Sequence, residues 1–300
     1  MNISERLGIK FYKEQVEQFL IDKGKQTEEA LHQYLGQLQC PGPGLIEAME
    51  YSLFAGGKRL RPALVLGSAE IFEGDIPKVM PSACAIEMIH TYSLIHDDLP
   101  ALDNDDFRRG KPTLHKVYGE AVALLAGDGL LTLAFELLAS TGNADVVAEV
   151  ARSAGVNGMV GGQYLDIRAE GQKITIETLQ EIHRKKTGAL ICASLRCGAL
   201  LSNASSEGLY AITEYGKHLG LAFQIVDDIL NVTGDEKTLG KPVGSDKEHN
   251  KSTYPAILGL AQAQELALEQ THKAIRALDC LGEKAEIFRQ LAIYMLSRNR

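Results

Sequence analysis

Apolar residues recur three and four positions apart along most of this chain, and strand-like alternation is nearly absent. Leu219, Phe223, Val226 and Leu230 share one helical face, and Leu190, Ala193, Leu195 and Leu200 trace a looser one. Proline punctuates the pattern. The nine prolines stand at Pro41, Pro43, Pro62, Pro77, Pro81, Pro100, Pro112, Pro242 and Pro255, so residues 113 to 241 contain none, which favours helices there. Breakers divide the chain into predicted helices at 5–38, 44–55, 61–72, 82–98, 120–140, 145–160, 176–202, 207–232, 252–280 and 284–297. The expected fold is an all-α helical bundle. No repeat, low-complexity tract or Ser/Pro/Gly linker divides residues 1–300, so a single domain is expected. Residues 99–118 and 233–250 stand outside the pattern and are rich in Asp, Gly and Lys; loops of that length in a compact helical protein are more often functional than idle.

Composition narrows the classes. With 300 residues, 45% hydrophobic and 23% charged, the chain can bury a large core and is no disordered polymer. Its net charge of −8 argues against a nucleic-acid partner, so an anionic ligand would need a local basic patch or bridging metals. Five scattered cysteines without a CxxC pair suggest neither a disulfide framework nor zinc. The charged N-terminus resembles no secretory signal, and no run approaches the roughly 18 consecutive apolar residues of a membrane span. A soluble cytoplasmic protein is expected.

Two acidic clusters follow apolar helical patterns. HDDLPALDNDD packs Asp97, Asp98, Asp103, Asp105 and Asp106 together, with Arg108 and Arg109 next. An acidic run is ordinarily a solvated loop, but aspartates at the C-terminal end of an apolar helix oppose its dipole unless a cation sits there. Oxygen ligands alone select Mg²⁺ or Mn²⁺ over zinc. In FQIVDDILNVTGD, Gln224, Asp227, Asp228 and Asn231 fall within an arc of about 100°. Two adjacent carboxylates on an apolar-flanked stripe are expensive to cover without metal. His90, Ser93 and Asp97 share a face of the preceding helix.

Basic residues gather elsewhere. GGKRLRP places Lys58, Arg59 and Arg61 at the start of an apolar helix, with Pro62 suited to its first turn, an arrangement that binds anions. Arg108, Arg109, Lys186, Lys241 and Lys251 are further candidates. There is no P-loop, HExxH, calcium loop or nucleophile elbow. Carboxylate clusters facing cationic sites suit a magnesium-held diphosphate.

GGKRLRP, DDLPALD with its RRG, GGQYLD at 161–166, KTG at 186–188, FQIVDDILNVTGD and KSTYP at 251–255 occur in the order seen in one family. The chain resembles the trans-isoprenyl diphosphate synthases, most closely the bacterial-type farnesyl diphosphate synthases, from about Leu45 to its end. The resemblance implies an isoprenoid synthase fold around a central cavity, a homodimer, and head-to-tail joining of an allylic diphosphate to isopentenyl diphosphate with release of pyrophosphate. It implies Mg²⁺, three ions per active site with Mn²⁺ as a substitute, held by Asp97, Asp98, Asp103, Asp227 and Asp228. Lys58, Arg61, His90 and Arg109 match the isopentenyl diphosphate site. Arg108, Lys186 and Lys241 match contacts to the allylic diphosphate, while Thr187 and Gln224 match groups that stabilise the developing carbocation.

Asn231 replaces a third aspartate found in many relatives, so the second cluster carries one charge fewer. Tyr92, five positions before Asp97, and the inserted Pro100-Ala101 pair match the pattern that goes with a C15 product. An ideal helical wheel sets Tyr92 about 140° from Asp97, so this role rests on resemblance. A geranylgeranyl or geranyl diphosphate synthase is the alternative within the family. A noncatalytic partner subunit is disfavoured by the retained aspartates, and a terpene cyclase would have no use for GGKRLRP.

Overall fold

The computed structural model describes residues 6, 9–39, 42–233 and 252–297. It is helical throughout, apart from one two-residue hairpin. In chain order the helices are α1 (Lys13–Gly36), α2 (Pro43–Leu53), α3 (Leu60–Ile71), α4 (Ile76–Asp97), α5 (Leu114–Tyr118), α6 (Glu120–Ser140), α7 (Ala144–Ala154), α8 (Met159–Ala169), α9 (Ile176–His183), α10 (Ala189–Leu201), α11 (Ser206–Thr233), α12 (Tyr254–Leu258), α13 (Leu260–Ala277) and α14 (Glu286–Ser297). Strands β1 (Phe107–Arg108) and β2 (Lys111–Pro112) pair antiparallel.

The periodicity places most helices, and residues 120–140 match α6 at both ends. Several expectations change, among them that the helix expected over 5–38 spans Lys13–Gly36 and that α5 forms within the expected 99–118 loop. The helix expected to begin at 82 begins at Ile76: Pro77 sits in the first turn, where its missing N–H costs nothing, and Pro81 is accommodated inside α4. The predicted 145–160 helix is two, parted at Gly155–Gly158 after Asn143 has capped α7 by accepting the Asp145 and Val146 N–H groups. The predicted 252–280 helix breaks at Gly259, whose φ of 82° is left-handed. Residues 176–202 pass through a π-helical segment, Arg184–Gly188, between α9 and α10.

α4 packs along α6, α11 along α13, and α3 against α10. One core gathers Val65, Met88, Ile89 and Leu130; a second is built on Tyr215, stacked on Phe288 with ring centroids 5.4 Å apart. A smaller third joins Ile225, Val226 and Tyr254. Among the described residues, α6 is the one helix long and apolar enough to cross a membrane by length and composition. Its Ala123, Ala126, Leu130 and Ala134 are fully buried against the core.

Arg59 corrects the reading of GGKRLRP as three anion-binding cations. Its side chain is only 2% exposed, donating from Nε to Glu28 (2.9 Å), from Nη1 to Glu87 (2.8 Å) and from Nη2 to the Leu53 carbonyl (2.6 Å). Burying the guanidinium requires these partners, and they occupy it. Arg59→Ala should destabilise the fold by about 3 kcal/mol, because Glu87 is left charged and buried. Urea unfolding measures this, and a loss below about 1 kcal/mol would show that Glu87 finds another partner.

Candidate active site

α4 ends at Asp97, and Asp98 caps it in helical conformation. The chain then folds back, so that the Asp103 N–H donates to the Asp97 carbonyl at 2.9 Å. Arg109 and Gly110, with φ of 53° and 75°, form the tight turn between β1 and β2. That hairpin returns Arg108 to the end of α4, where its Nε donates to both Asp98 oxygens at 2.7 and 2.9 Å and its Nη2 reaches Asp105 at 3.3 Å.

The adjacent aspartates therefore do different things. Asp98 is buried and held bidentately by Arg108. Asp97 lines an open cavity of about 380 Å³, and burial pushes its carboxyl up to about 6, against the opposing pull of Lys186. Asp103 adds to the rise by repulsion.

The cavity is also lined by Arg61 from α3, His90 and Tyr92 from α4, Met159, Val160, Gln163 and Tyr164 from α8, and Lys186 and Thr187 from the π segment. Arg61 is desolvated enough to bring its guanidinium down to about 10, and its Nε is buried without a hydrogen-bond partner. An anion would satisfy it. Burial, reinforced by Arg61, Arg109, Arg108 and Arg59, holds His90 far below the ordinary imidazole range, so it is neutral at pH 7. Arg109 donates to the Gly56 carbonyl. These arginines make the end of α4 electropositive despite its aspartates.

On the opposite side, π-helical Arg184–Gly188 carries Lys186 and Thr187. Single-turn π segments recur at functional sites because one extra residue turns the side chains to a new direction. Lys186 Nζ reaches Asp166 of α8 at 2.7 Å. Thr187 Oγ1 donates to Gln224 Oε1 at 3.1 Å, and Gln224 Nε2 donates to Asp227 Oδ2 at 3.2 Å. A hydrogen-bonded chain thus runs from the cavity wall to the second aspartate cluster. Asp228 diverges from Asp227: it is buried, and its Oδ2 accepts the Tyr254 N–H at 2.9 Å.

Of the residues predicted from sequence, Arg61, His90, Tyr92, Asp97, Lys186 and Thr187 line one cavity. Gln224 and Asp227 join it through Thr187. Arg108, Arg109 and Asp98 border a small cleft beside the hairpin. Lys58 lies in a neighbouring groove with Arg59 and Glu28, its ammonium 5.6 Å from the centre of the Tyr294 ring. Lys241, Lys251 and most of the 233–250 loop lie outside the described residues. Tyr92 improves on the helical wheel, since it faces the same cavity as Asp97. Gln163 and Asp166 had no assigned role, although the GGQYLD motif containing them was visible.

Asp97 at the end of α4 and Asp227 on α11 offer carboxylate oxygens, which suit a hard divalent cation. Among the described residues no three acidic, histidine or cysteine side chains converge closely enough to hold a metal unaided. That donor set fits an ion that takes its remaining oxygens from water and substrate phosphate, as Mg²⁺ commonly does.

An apolar cavity gripped at its mouth by arginine, lysine and aspartate defines a helical enzyme that handles an amphiphilic anion. A polyprenyl synthetase family model matches residues 43–291, and the chain belongs to that family of prenyltransferases. It is 49% identical to the farnesyl diphosphate synthase of Geobacillus stearothermophilus, over 89% of this chain and 93% of that one. The farnesyl diphosphate synthase of Escherichia coli K12 is 44% identical over 92% and 96% of the two chains. The crystal structure of a Caulobacter crescentus CB15 polyprenyl synthase complexed with calcium and isoprenyl diphosphate shares the fold with a TM-score of 0.86 at 27% identity, covering 95% of this chain and 98% of that one. Enzymes of this family use divalent metal ions and prenyl diphosphates.

Proposed function

We propose that this prenyltransferase condenses isopentenyl diphosphate with dimethylallyl or geranyl diphosphate, head to tail, to give farnesyl diphosphate. The observation that carries the reading is one cavity lined by Asp97, Lys186 and Arg61 together with Tyr92. Asp97, Asp98, Asp103, Asp227 and Asp228 would hold Mg²⁺, three ions per site, with Asp98 also bracing Arg108 and Asp228 the Tyr254 segment. When bound, the metal supplies positive charge that stabilises the departing pyrophosphate.

The protein's own groups do the rest. Lys186 and Arg108 absorb charge on the allylic diphosphate, with Lys241 as a further contact, and such preorganised electrostatics contribute several kcal/mol to ionisation. The Thr187 hydroxyl and Gln224 carbonyl turn negative dipole ends toward the allylic cation. Arg61, Arg109 and neutral His90 bind isopentenyl diphosphate, with Lys58 closing on it from the neighbouring groove. The largely apolar wall keeps water from the cation. The proton lost from the new chain is taken by the pyrophosphate.

A single polyprenyl synthetase domain is supported by the span of the family match. A homodimer is supported by the outward-facing Leu124 and Leu125 of α6, 47% and 56% exposed, which a second copy would cover, and a cytoplasmic location by the likeness to bacterial farnesyl diphosphate synthases.

Mass spectrometry of products formed from dimethylallyl or geranyl diphosphate, isopentenyl diphosphate and Mg²⁺ tests the reading. A C15 product from both primers is expected, and Tyr92→Ala should lengthen it. A dominant C10 or C20 product from the unaltered protein would overturn the chain-length assignment, and no condensation would overturn the reaction.

A further inference from the structure

A ring that limits product length must resist the growing chain, so what stands behind Tyr92 matters. Side chains on a helix lean back toward its N-terminus, so a residue four positions later covers the turn before it. His96 occupies that position one turn on from Tyr92, and it lines the same cavity. The two rings meet edge to face, with centroids 5.5 Å apart and planes at 86°. The imidazole is itself fixed: its Nε2 lies 3.1 Å from the Leu124 carbonyl of α6, which can only accept, so Nε2 carries the proton and donates. Asp128 Oδ1 stands 3.9 Å from the same nitrogen. α6 also presses on the ring at Gly127, where a Cβ would fall 2.1 Å from Nε2. Only glycine lets the α6 backbone come so close, and the contact closes one side of the imidazole, which is 23% exposed.

We propose that His96 is a positioning residue for product length, holding the Tyr92 ring across the elongation end of the cavity. The proposal rests on the reading of Tyr92 as the chain-length limit. Removing the imidazole opens space one turn along α4, and the tyrosine ring rotates into it. The cavity then accepts one more five-carbon unit.

The test uses the full-length protein with Mg²⁺, dimethylallyl diphosphate and excess isopentenyl diphosphate, with products separated by mass spectrometry. His96→Ala should raise the C20:C15 ratio about fivefold, the scale set by losing one edge-to-face ring contact. His96→Phe keeps a ring against Tyr92 and should retain the C15 product. If His96→Ala does not fold, His96→Gln keeps a donor for the Leu124 carbonyl without the ring and should lengthen the product likewise. In a Tyr92→Ala background, His96→Ala should add nothing. An unchanged C20:C15 ratio in a folded His96 variant, while Tyr92→Ala does lengthen the product, overturns the role of His96 alone. Additive lengthening in the double variant also overturns it, because His96 would then act without Tyr92. No lengthening by Tyr92→Ala removes the underlying reading as well.

Discussion

Asp97→Asn is expected to lower turnover about 100-fold or more while making the metal-free protein more stable at neutral pH. The opposite signs share one cause. Burial raises the Asp97 carboxyl from its ordinary 3.8 to about 6, so the folded protein holds a proton there that the unfolded chain releases. Stability from that proton is fully present below pH 3.8 and is lost as pH rises through about 6. At pH 7.5 the folded protein carries a costly buried anion, which asparagine removes at about 2 kcal/mol of benefit. A rise in Tm of about 2–4 °C should follow without metal, shrinking as pH falls toward 5. In its proposed role as a metal ligand, Asp97 needs the same charge for turnover, because an amide cannot hold a divalent cation as a carboxylate does. Steady-state kinetics and thermal unfolding at two pH values check both halves. Undiminished turnover would remove Asp97 from the metal site, and a fall in Tm at neutral pH would mean that Lys186 outweighs burial.

Gly162→Ala should be nearly as damaging, although the residue carries no functional group. A Cβ there would sit 2.2 Å from the Lys186 nitrogen and 2.6 Å from its Cα, both backbone atoms that cannot rotate aside. Either α8 separates from the π segment or the segment rewinds. Both outcomes disturb the Lys186–Asp166 pair and the Thr187–Gln224–Asp227 chain. The expected cost is about 3 kcal/mol of stability, with kcat falling about 100-fold through misplacement of Lys186. Gly44→Ala in α2, where a Cβ meets nothing within 4 Å, serves as the control and should leave kcat unchanged. If Gly162→Ala keeps full kcat, the close crossing of α8 and the π segment is not what positions Lys186.

Much of this site is legible along the chain because it depends on local spacing. The three- and four-residue recurrence of apolar positions marks α6 and α11, and the aspartate clusters declare themselves at the ends of α4 and α11. His90 and Asp97, seven residues apart, lie on one face of an ideal helix and do line one cavity. Tyr92 shows where the wheel fails. Its Cβ direction differs from that of Asp97 by about 140°, yet a long aromatic side chain leans along the helix and the cavity wraps around it.

Within each aspartate pair, the residues look alike in sequence and differ in the fold. Asp98 is matched to Arg108 by a left-handed turn at Arg109-Gly110, and Asp228 to the Tyr254 N–H by a segment 26 residues later. Arg59 and Arg61 stand two positions apart, yet one is consumed by Glu28 and Glu87 while the other faces the cavity with an unpartnered Nε. Most helices, the acidic and basic inventory and the family are legible along the chain, because period and motif order are properties of neighbouring residues. Which charges are spent on holding the fold, and which are left at the cavity, was decided only by tertiary structure. A buried charge must find its partner in space, and that partner stands wherever another helix brings it.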